Sequence, residues 1–576
     1  MRTFAARTLL AVVAATALAG AVTTAPSSSA SSLPTPPADP YVPHQVLVRF
    51  QPGLGAESIA RLNASLGATT LARYEFVPGL QLLQIHRDVS VLAAVRGFAS
   101  ASEVRYAQPN WVSHLLGASP AQGGIRPQRI PNDPRYGEQW DWQALDAPAA
   151  WDLTTGSKSA VVGDIDSGLD YNHVDIKANA WRNAAECTGL LGVDDDHNGY
   201  VDDCRGIDTI NGDSDPMDDN GHGTLTAGVI GAVGNNKIGI TGLNWRVRIL
   251  PCKSHDSGGS GSVASIIECY QYMVTERKAG YDIIATNNSY ADCPEACGYD
   301  PATRDAIDAM GRAGILFAVA AGNNGRDIDQ APIYPASYFL PNVIPVAATT
   351  PEFGLATFSN WGVRVVMVGA PGEDVLSTTL NDGYDLVSGT SLASPHVAGL
   401  AALLHADDPT LDIYQIRNLI VSGGNDFASL AGKTVAGKSI DANGSLTCVN
   451  AKTFGLLQPL ENVAPGLLTI AALSINCAGA DRSTRPLKGI EVTIQPGDLH
   501  LKLRDHGKGA DLERGDGIFS AFWTPPHNGA YTLSFHRYGK TYTVTVSPPP
   551  GRSAYGHRPG SPLPSLWTLL SEVAGA

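Results

Sequence analysis

Four polar side chains, far apart along the chain, could together do nucleophilic chemistry. Ser391 stands in Gly389-Thr390-Ser391-Leu392-Ala393-Ser394-Pro395-His396, ahead of the small, apolar run Val397 to Leu404. The pattern predicts a loop turning into a buried helix, with Pro395 in the first turn, where a missing N–H costs little. A helix start carries N–H groups without partners and a partial positive charge, so a hydroxyl there lies beside donors for an oxyanion. A simpler reading makes Ser391 an N-cap, a role serine favours. His222 stands in Gly221-His222-Gly223-Thr224, and Asp166 in Asp164-Ile165-Asp166-Ser167-Gly168. Serine needs a base, histidine titrates in the right range, and a carboxylate on the other ring nitrogen fixes the tautomer. Asn323, in Ala321-Gly322-Asn323, supplies an amide that can donate to an oxyanion. Each motif alone reads as a turn. In the order Asp, His, Asn, Ser, at strand and helix ends, they point to acyl transfer by an activated serine.

The elements that must hold these groups alternate. Strands are expected at Ala160–Ile165, Val247–Leu250, Asp282–Thr286, Ile315–Ala320, Val343–Ala347 and Val365–Val368, and helices at Val263–Met273 and Thr303–Ala313. Such alternation implies a parallel sheet covered on both faces, with ligands at the carboxyl ends of its strands. Asp166, Ser289 and Asn323 each fall just after an expected strand. Before this domain, strands at Gln45–Phe50, Leu80–Ile85 and Val104–Asn110 and helices at Gly55–Leu66 and Val91–Phe98 form a small α+β unit. After it, short strands at Ile490–Ile494, Leu499–Leu503, Ile518–Trp523, Tyr531–Phe535 and Thr541–Val546 read as a β-sandwich.

Here the sequence resembles the subtilisin-like serine peptidases, from about Asn132 to Ala442, through Asp166-Ser167-Gly168-Leu169-Asp170, Gly221-His222-Gly223-Thr224, Ala320-Ala321-Gly322-Asn323 and the Ser391 stretch. The resemblance implies an α/β, parallel-sheet endopeptidase working through an acyl-enzyme. Asp166 would orient the base, His222 would be the base, Ser391 the nucleophile and Asn323 an oxyanion donor. Two positions depart from the family pattern: Leu392 replaces the usual Met after the nucleophile, and Leu225, followed by Thr226, replaces a second His. Without the oxidisable sulfur at 392, slow inactivation by peroxide is expected. The resemblance places the substrate as an added strand between Gly259-Ser260-Gly261 and Ser289-Tyr290-Ala291, with Ile333 near the base of the pocket for the residue before the cut. Ala291 and Asp292 stand where glycine is usual and could crowd or charge that groove. Residues 42–115 resemble the subtilisin propeptide, or peptidase inhibitor domain, an intramolecular inhibitor that assists folding and is then cut away.

Asp194-Asp195-Asp196-His197-Asn198-Gly199-Tyr200-Val201-Asp202-Asp203 sets oxygens at alternate positions around a glycine, which suits Ca2+. The candidate ligands are Asp194, Asp196, Asn198 and Asp203; the alternative is a solvated acidic turn. Family resemblance implies a second calcium site from Asp133, Asp175 and Asn236 with the carbonyls of Ile238 and Ile240. Asp505-His506-Gly507-Lys508-Gly509-Ala510-Asp511 with Gly515-Asp516-Gly517 resembles turns of bacterial immunoglobulin-like modules, and turn chemistry is the reading preferred for it over calcium.

The 576 residues are 43% hydrophobic and 16% charged, with a net charge of −15, which argues against nucleic acid as a partner. Residues 1–30, with Arg2 and Arg7 before an apolar run, read as a secretory signal; no other stretch is long enough to span a membrane. A secreted monomer acting on polypeptides is expected. Export permits disulfides, and the nearest-neighbour pairs among the eight cysteines are 187–204, 252–269, 293–297 and 448–477, a pairing that spacing alone leaves open. The expected order is signal 1–30, a linker over 27–41, propeptide 42–115, a cleavable linker from Leu115 to Gln128, peptidase domain 132–447, immunoglobulin-like sandwich 452–548 and a flexible tail 549–576. Two rival classes remain: a calcium-loaded binding protein with a dead peptidase fold, and an esterase or lipase. The missing G-x-S-x-G elbow and Ser-first order argue against the second.

Overall fold

The computed structural model describes residues 41–115, 130–292, 299–448, 451–477 and 490–548, all within one compact unit, Asp39–Ala576. The expected signal, both linkers, the Cys293–Cys297 pair and the C-terminal tail lie outside the described residues.

A nine-stranded sheet forms the centre. In spatial order its strands are Asn425–Asp426, Lys438–Ser439, Val368–Pro371, Val343–Thr349, Leu316–Ala320, Asp282–Asn288, Ala160–Asp166, Arg248–Lys253 and Ile207–Asp208. Every neighbouring pair is parallel except the first. The central strands read as continuous apolar runs because both faces are covered; Ala160–Asp166 is buried throughout. Helices Thr390–Asp407 and His222–Gly231 cover one face with Ile230, Val397, Leu400 and Leu404 in one core. Helices Val263–Lys278 and Pro301–Arg312 cover the other, with Ile267, Tyr270, Met273, Ile307 and Met310 in a second.

Two expectations need correcting here. The strand expected at Val365–Val368 starts only at Val368 and runs to Pro371. Pro395 lies inside the helix, which begins at Thr390 with Gly389 as N-cap and no capping side chain, so Ser391 is not an N-cap. An interior proline cannot donate to the carbonyl four residues back. That carbonyl belongs to Ser391, and it accepts instead from Ser289 Oγ at 2.9 Å.

The N-terminal unit is an antiparallel sheet with two helices and its own core of Val46, Val48, Phe50, Leu83, Ile85 and Phe98. Ala68–Tyr74 is a strand the hydrophobic pattern concealed, since most of its residues face solvent. The last strand runs to Leu115, well past the expected end at Asn110. Its polar residues complete the central domain. Gln108 Oε1 accepts from Ala302 N at 3.1 Å and Asn110 Oδ1 from Ala264 N at 2.9 Å, satisfying orphan donors in the first turns of two helices.

The C-terminal domain is a sandwich of three strands, Lys452–Gln458, Leu468–Asn476 and Ile518–Trp523, on five, among them Ile490–Gln495, Gly529–Phe535 and Lys540–Val546. Leu456, Ile470, Val492, Phe519, Trp523, Leu533 and Val544 fill it. The other face of its smaller sheet, with Leu473, Ile475 and Ile518, shares a core with the central domain's Ile413, Ile416 and Leu419. Disulfides join Cys187–Cys204, Cys252–Cys269 and Cys448–Cys477.

Candidate active site

The site lies at the carboxyl ends of the central strands. Asp166 is the last residue of its strand and fully buried. His222 is the first residue of its helix, and its Nδ1 lies 2.8 Å and 2.9 Å from the two Asp166 oxygens. Ser167 N also donates to Asp166 Oδ1 at 2.7 Å. The contact needs the histidine helix pressed against the strand end. At Gly223 an added Cβ would lie 2.0 Å from the Gly168 carbonyl, and Gly168 has φ +112°, so glycine is required at both.

Asp218, which sequence reasoning passed over, holds that helix start. It accepts from Gly221 N at 2.8 Å, Thr224 N at 2.9 Å, Thr224 Oγ1 at 2.7 Å and Ser167 Oγ at 2.8 Å. A carboxylate just before a helix satisfies orphan donors and suits the positive end of the dipole; an acidic residue shortly before Gly221 was the available signal.

Burial alone would pull the His222 imidazole below its usual range; the charge and hydrogen bond of Asp166 outweigh it and hold it above. Asp164 lies under the pair, accepting from Asn287 Nδ2 at 2.9 Å and Thr226 Oγ1 at 3.0 Å. Burial, with Asp166 adding to it, holds Asp164 well above the usual carboxylate range. Thr226 thus has a polar partner in Asp164.

Asn323 follows the strand Leu316–Ala320. Its Oδ1 accepts from Thr390 N at 2.9 Å and Thr390 Oγ1 at 2.7 Å, and Gly322 N donates to Thr390 Oγ1 at 3.0 Å. Fixing the acceptor end of the amide orients its NH2 the other way. Ser391, next after Thr390, is fully buried. Ile333 lies beside this turn, its Cδ1 3.4 Å from where a Gly322 Cβ would stand.

The groove edges expected from the sequence are strands here. Ser260–Ser262 follows Gly259, Tyr290–Asp292 follows Ser289, and the N-terminal unit's last strand runs between them. It is antiparallel to both: His114 pairs with Ser260 and Ala291, Ser113 with Gly261, and Leu115 with Tyr290. Ser113 Oγ donates to the Ala291 carbonyl at 3.0 Å. Ala291 therefore does not bar a strand from the groove.

The acidic loop gathers differently from expectation. One carboxylate oxygen each from Glu186, Asp196 and Asp203 lies within 4.8 Å of the others. Asp194 is instead taken up by Asn198 N at 3.1 Å and Gly199 N at 2.9 Å. Asn198 Nδ2 bridges Asp203 Oδ2 at 3.0 Å and Glu276 Oε1 at 2.9 Å. Glu276 comes from the helix Val263–Lys278, is fully buried, and leaves Oε2 without a hydrogen-bond partner. Burial, then Asp203 beside it, raises Glu276 to about 8. Three carboxylates with oxygens this close fit a hard cation, and the unsatisfied Glu276 Oε2 belongs to a fourth acid in the same hydrogen-bonded cluster. Glu186 and Glu276 were not legible as members of the loop. At the second expected site Asp133, Asp175 and Asn236 do meet. Asp133 accepts from the N–H groups of Asn235, Asn236 and Lys237; Asp175 accepts from Asn236 Nδ2, Ile240 N and Tyr384 OH; Asn236 Oδ1 accepts from Ile238 N.

Comparison with known proteins agrees with this geometry. Residues 157–436 match the subtilase family and residues 27–110 the fervidolysin N-terminal prodomain. The thermophilic serine proteinase of Bacillus sp. (strain AK1) is 33% identical over 365 residues, 63% of this chain and 78% of that protein. Thermitase of Thermoactinomyces vulgaris is 34% identical over 275 residues, 48% and 85%. Subtilisin-like protease 1 of Plasmodium berghei is 32% identical over 329 residues, 54% of this chain; the match spans only 53% of that longer protein. The crystal structure of fervidolysin from Fervidobacterium pennivorans superposes with a TM-score of 0.58 at 19% identity, covering 86% of this chain and 70% of that one. The chain belongs to the subtilase family, and its N-terminal unit is a prodomain of the fervidolysin kind.

Proposed function

We propose that the chain is the precursor of a secreted serine endopeptidase that removes its own prodomain. His222, oriented through Nδ1 by Asp166, takes the proton of Ser391 Oγ as that oxygen attacks a peptide carbonyl. The oxyanion is met by Asn323 Nδ2 and the N–H of Ser391. His222 then gives the proton to the leaving amine, and water releases the acyl group by the same route. One observation supports the reading: the prodomain's last strand is paired on both sides, with Ser260–Ser262 and with Tyr290–Asp292, as an added substrate strand would be. The cut that frees it falls in residues 116–131, after the last described pair, Leu115 with Tyr290.

Calcium suits the Asp196 loop, where Glu186, Asp196, Asp203 and Glu276 would hold it; Asp133, Asp175, Asn236 and the carbonyls of Ile238 and Ile240 are a second, family-based candidate. The ion would neutralise crowded carboxylates and stabilise the folded state by mass action.

A fluorophosphonate probe should label the processed protein. Ser391→Ala should remain unlabelled and retain its prodomain, with turnover down about 10⁶-fold, the loss known for subtilisin. Labelling of Ser391→Ala, or its normal processing, would reject the assignment and leave a binding protein on a peptidase fold.

A further inference from the structure

The loop joining strands Leu499–Leu503 and Ile518–Trp523 brings Asp505, Asp511 and Asp516 together. One carboxylate oxygen of each lies within 4.8 Å of the other two. Oxygens bound to one Ca2+ at 2.3–2.6 Å can be at most about 5 Å apart, so the three fit one coordination sphere. Turn hydrogen bonds account for part of the cluster. Asp505 accepts from Gly515 N and, at 3.0 Å, from Gly517 N; Asp516 Oδ1 accepts from Ile518 N at 2.8 Å; Asp511 Oδ2 accepts from His506 N and, at 2.6 Å, from Gly507 N.

They do not account for Asp511 Oδ1. Asp511 is 4% exposed, and this oxygen is buried with no hydrogen-bond partner. An unsatisfied buried carboxylate oxygen is costly unless a positive group meets it. The ion-pair partners found for these acids are Arg417, whose Nη1 lies 3.8 Å from Asp516 Oδ2, and the His506 ring, whose Nδ1 lies 3.5 Å from Asp511 Oδ2. Arg417 spends its donors on the Pro341 carbonyl, Asn418 Oδ1 and the Asp516 carbonyl. One guanidinium at that distance does not balance three carboxylates.

We propose that Asp505, Asp511 and Asp516 bind a structural divalent cation of the Ca2+ class, which fastens the C-terminal sandwich to the central domain. The loop itself makes the junction. The Asp516 carbonyl accepts from Arg417 and, at 3.1 Å, from Asn418 Nδ2, both on the helix Ile413–Gly423. The Gly517 carbonyl accepts from Ser474 N at 2.9 Å. Asp505 is only partly buried, so water can complete the sphere. All donors are hard oxygens, which favours Ca2+ over softer metals.

The test counts bound calcium in the full chain, dialysed against CaCl2 and then against metal-free buffer, for wild type, Asp511→Asn and Asp196→Asn. Loss of one equivalent in Asp511→Asn, with a smaller rise in melting temperature on adding calcium, supports the site. Calcium content unchanged from wild type overturns it. Asp196→Asn reports the catalytic-domain loop separately, so either site can fail without the other. Should Asp511→Asn not fold, anomalous diffraction from wild-type crystals grown with CaCl2 decides. A peak among the three carboxylates supports the site; no peak there overturns it.

Discussion

The prodomain and the C-terminal sandwich each share apolar core with the central domain and each keep a core of their own; they differ in what else holds them. Apolar contact exists on both sides, since Leu47, Tyr74, Leu80 and Trp111 pack with Tyr270 and Tyr290. But residues 41–115 contain no cysteine and keep a separate core of their own. Their distinctive bonds are Gln108 and Asn110 on helix starts, the Arg49–Asp305 ion pair and a strand in the groove. The sandwich instead is fastened by Cys448–Cys477, by Leu473, Ile475 and Ile518 in the main core, and by Arg417 fully buried against Asp516. Among the described residues no disulfide holds the first, whereas one ties the second to the central domain. The difference teaches that a shared apolar core does not by itself tell the two attachments apart: the cross-link and the buried arginine do.

Removing Arg417 should break the contrast most severely. Arg417→Ala leaves Asp516 without its guanidinium and should cost about 3–5 kcal/mol in urea unfolding of the processed protein. A cost under about 1 kcal/mol would mean the sandwich is only loosely attached. Replacing Cys448 and Cys477 with alanine opens a loop with a sequence separation of 29 and should cost about 3–4 kcal/mol on the loop-entropy estimate. No loss would show that the shared core alone holds the sandwich.

Acidification separates occupying the site from supporting the fold. His222 must be neutral to act as base, and its pKa is raised, so kcat/KM should fall about tenfold per unit below that value. The raised folded-state pKa gives the opposite sign for stability. The His222 contribution is fully present below the unfolded value of about 6.5 and is lost as pH rises through the folded one. Activity and the His222 share of stability should therefore move oppositely across that window; an acid limb below about 6 would contradict the raised pKa. The smallest effect belongs to the prodomain. Gln108→Ala should weaken its inhibition in trans by about 1–2 kcal/mol, or ~5–30-fold, without changing kcat of the processed enzyme. Unchanged inhibition would leave strand pairing as its main attachment.

How much of this was legible in the sequence follows from how local each signal is. Asp166, His222, Asn323 and Ser391 sit where chain-local patterns end a strand or begin a helix, and the structure puts them at one end of the sheet. The buried strands announced themselves as apolar runs. Strand Ala68–Tyr74 did not, because most of its residues face solvent. The prodomain's final strand seemed to end near Pro109-Asn110, yet it continues because the central domain supplies partners on both sides. Glu276 and Arg417 look like ordinary surface residues of amphipathic helices; only tertiary contact shows each buried and facing acids from a distant loop. Asp164 reads as part of a motif, but its raised pKa comes from burial and from Asp166, against the pull of hydrogen bonds from Thr226 and Asn287, far away in sequence.

Because Pro395 has no N–H to offer, the carbonyl of Ser391 is tethered sideways, to Ser289 on the rim of the groove, and not lengthwise within its own helix. Rim and nucleophile are therefore mechanically linked through one hydroxyl. A displacement of the Tyr290–Asp292 edge that carried Ser289 with it would thus pull directly on the backbone at Ser391.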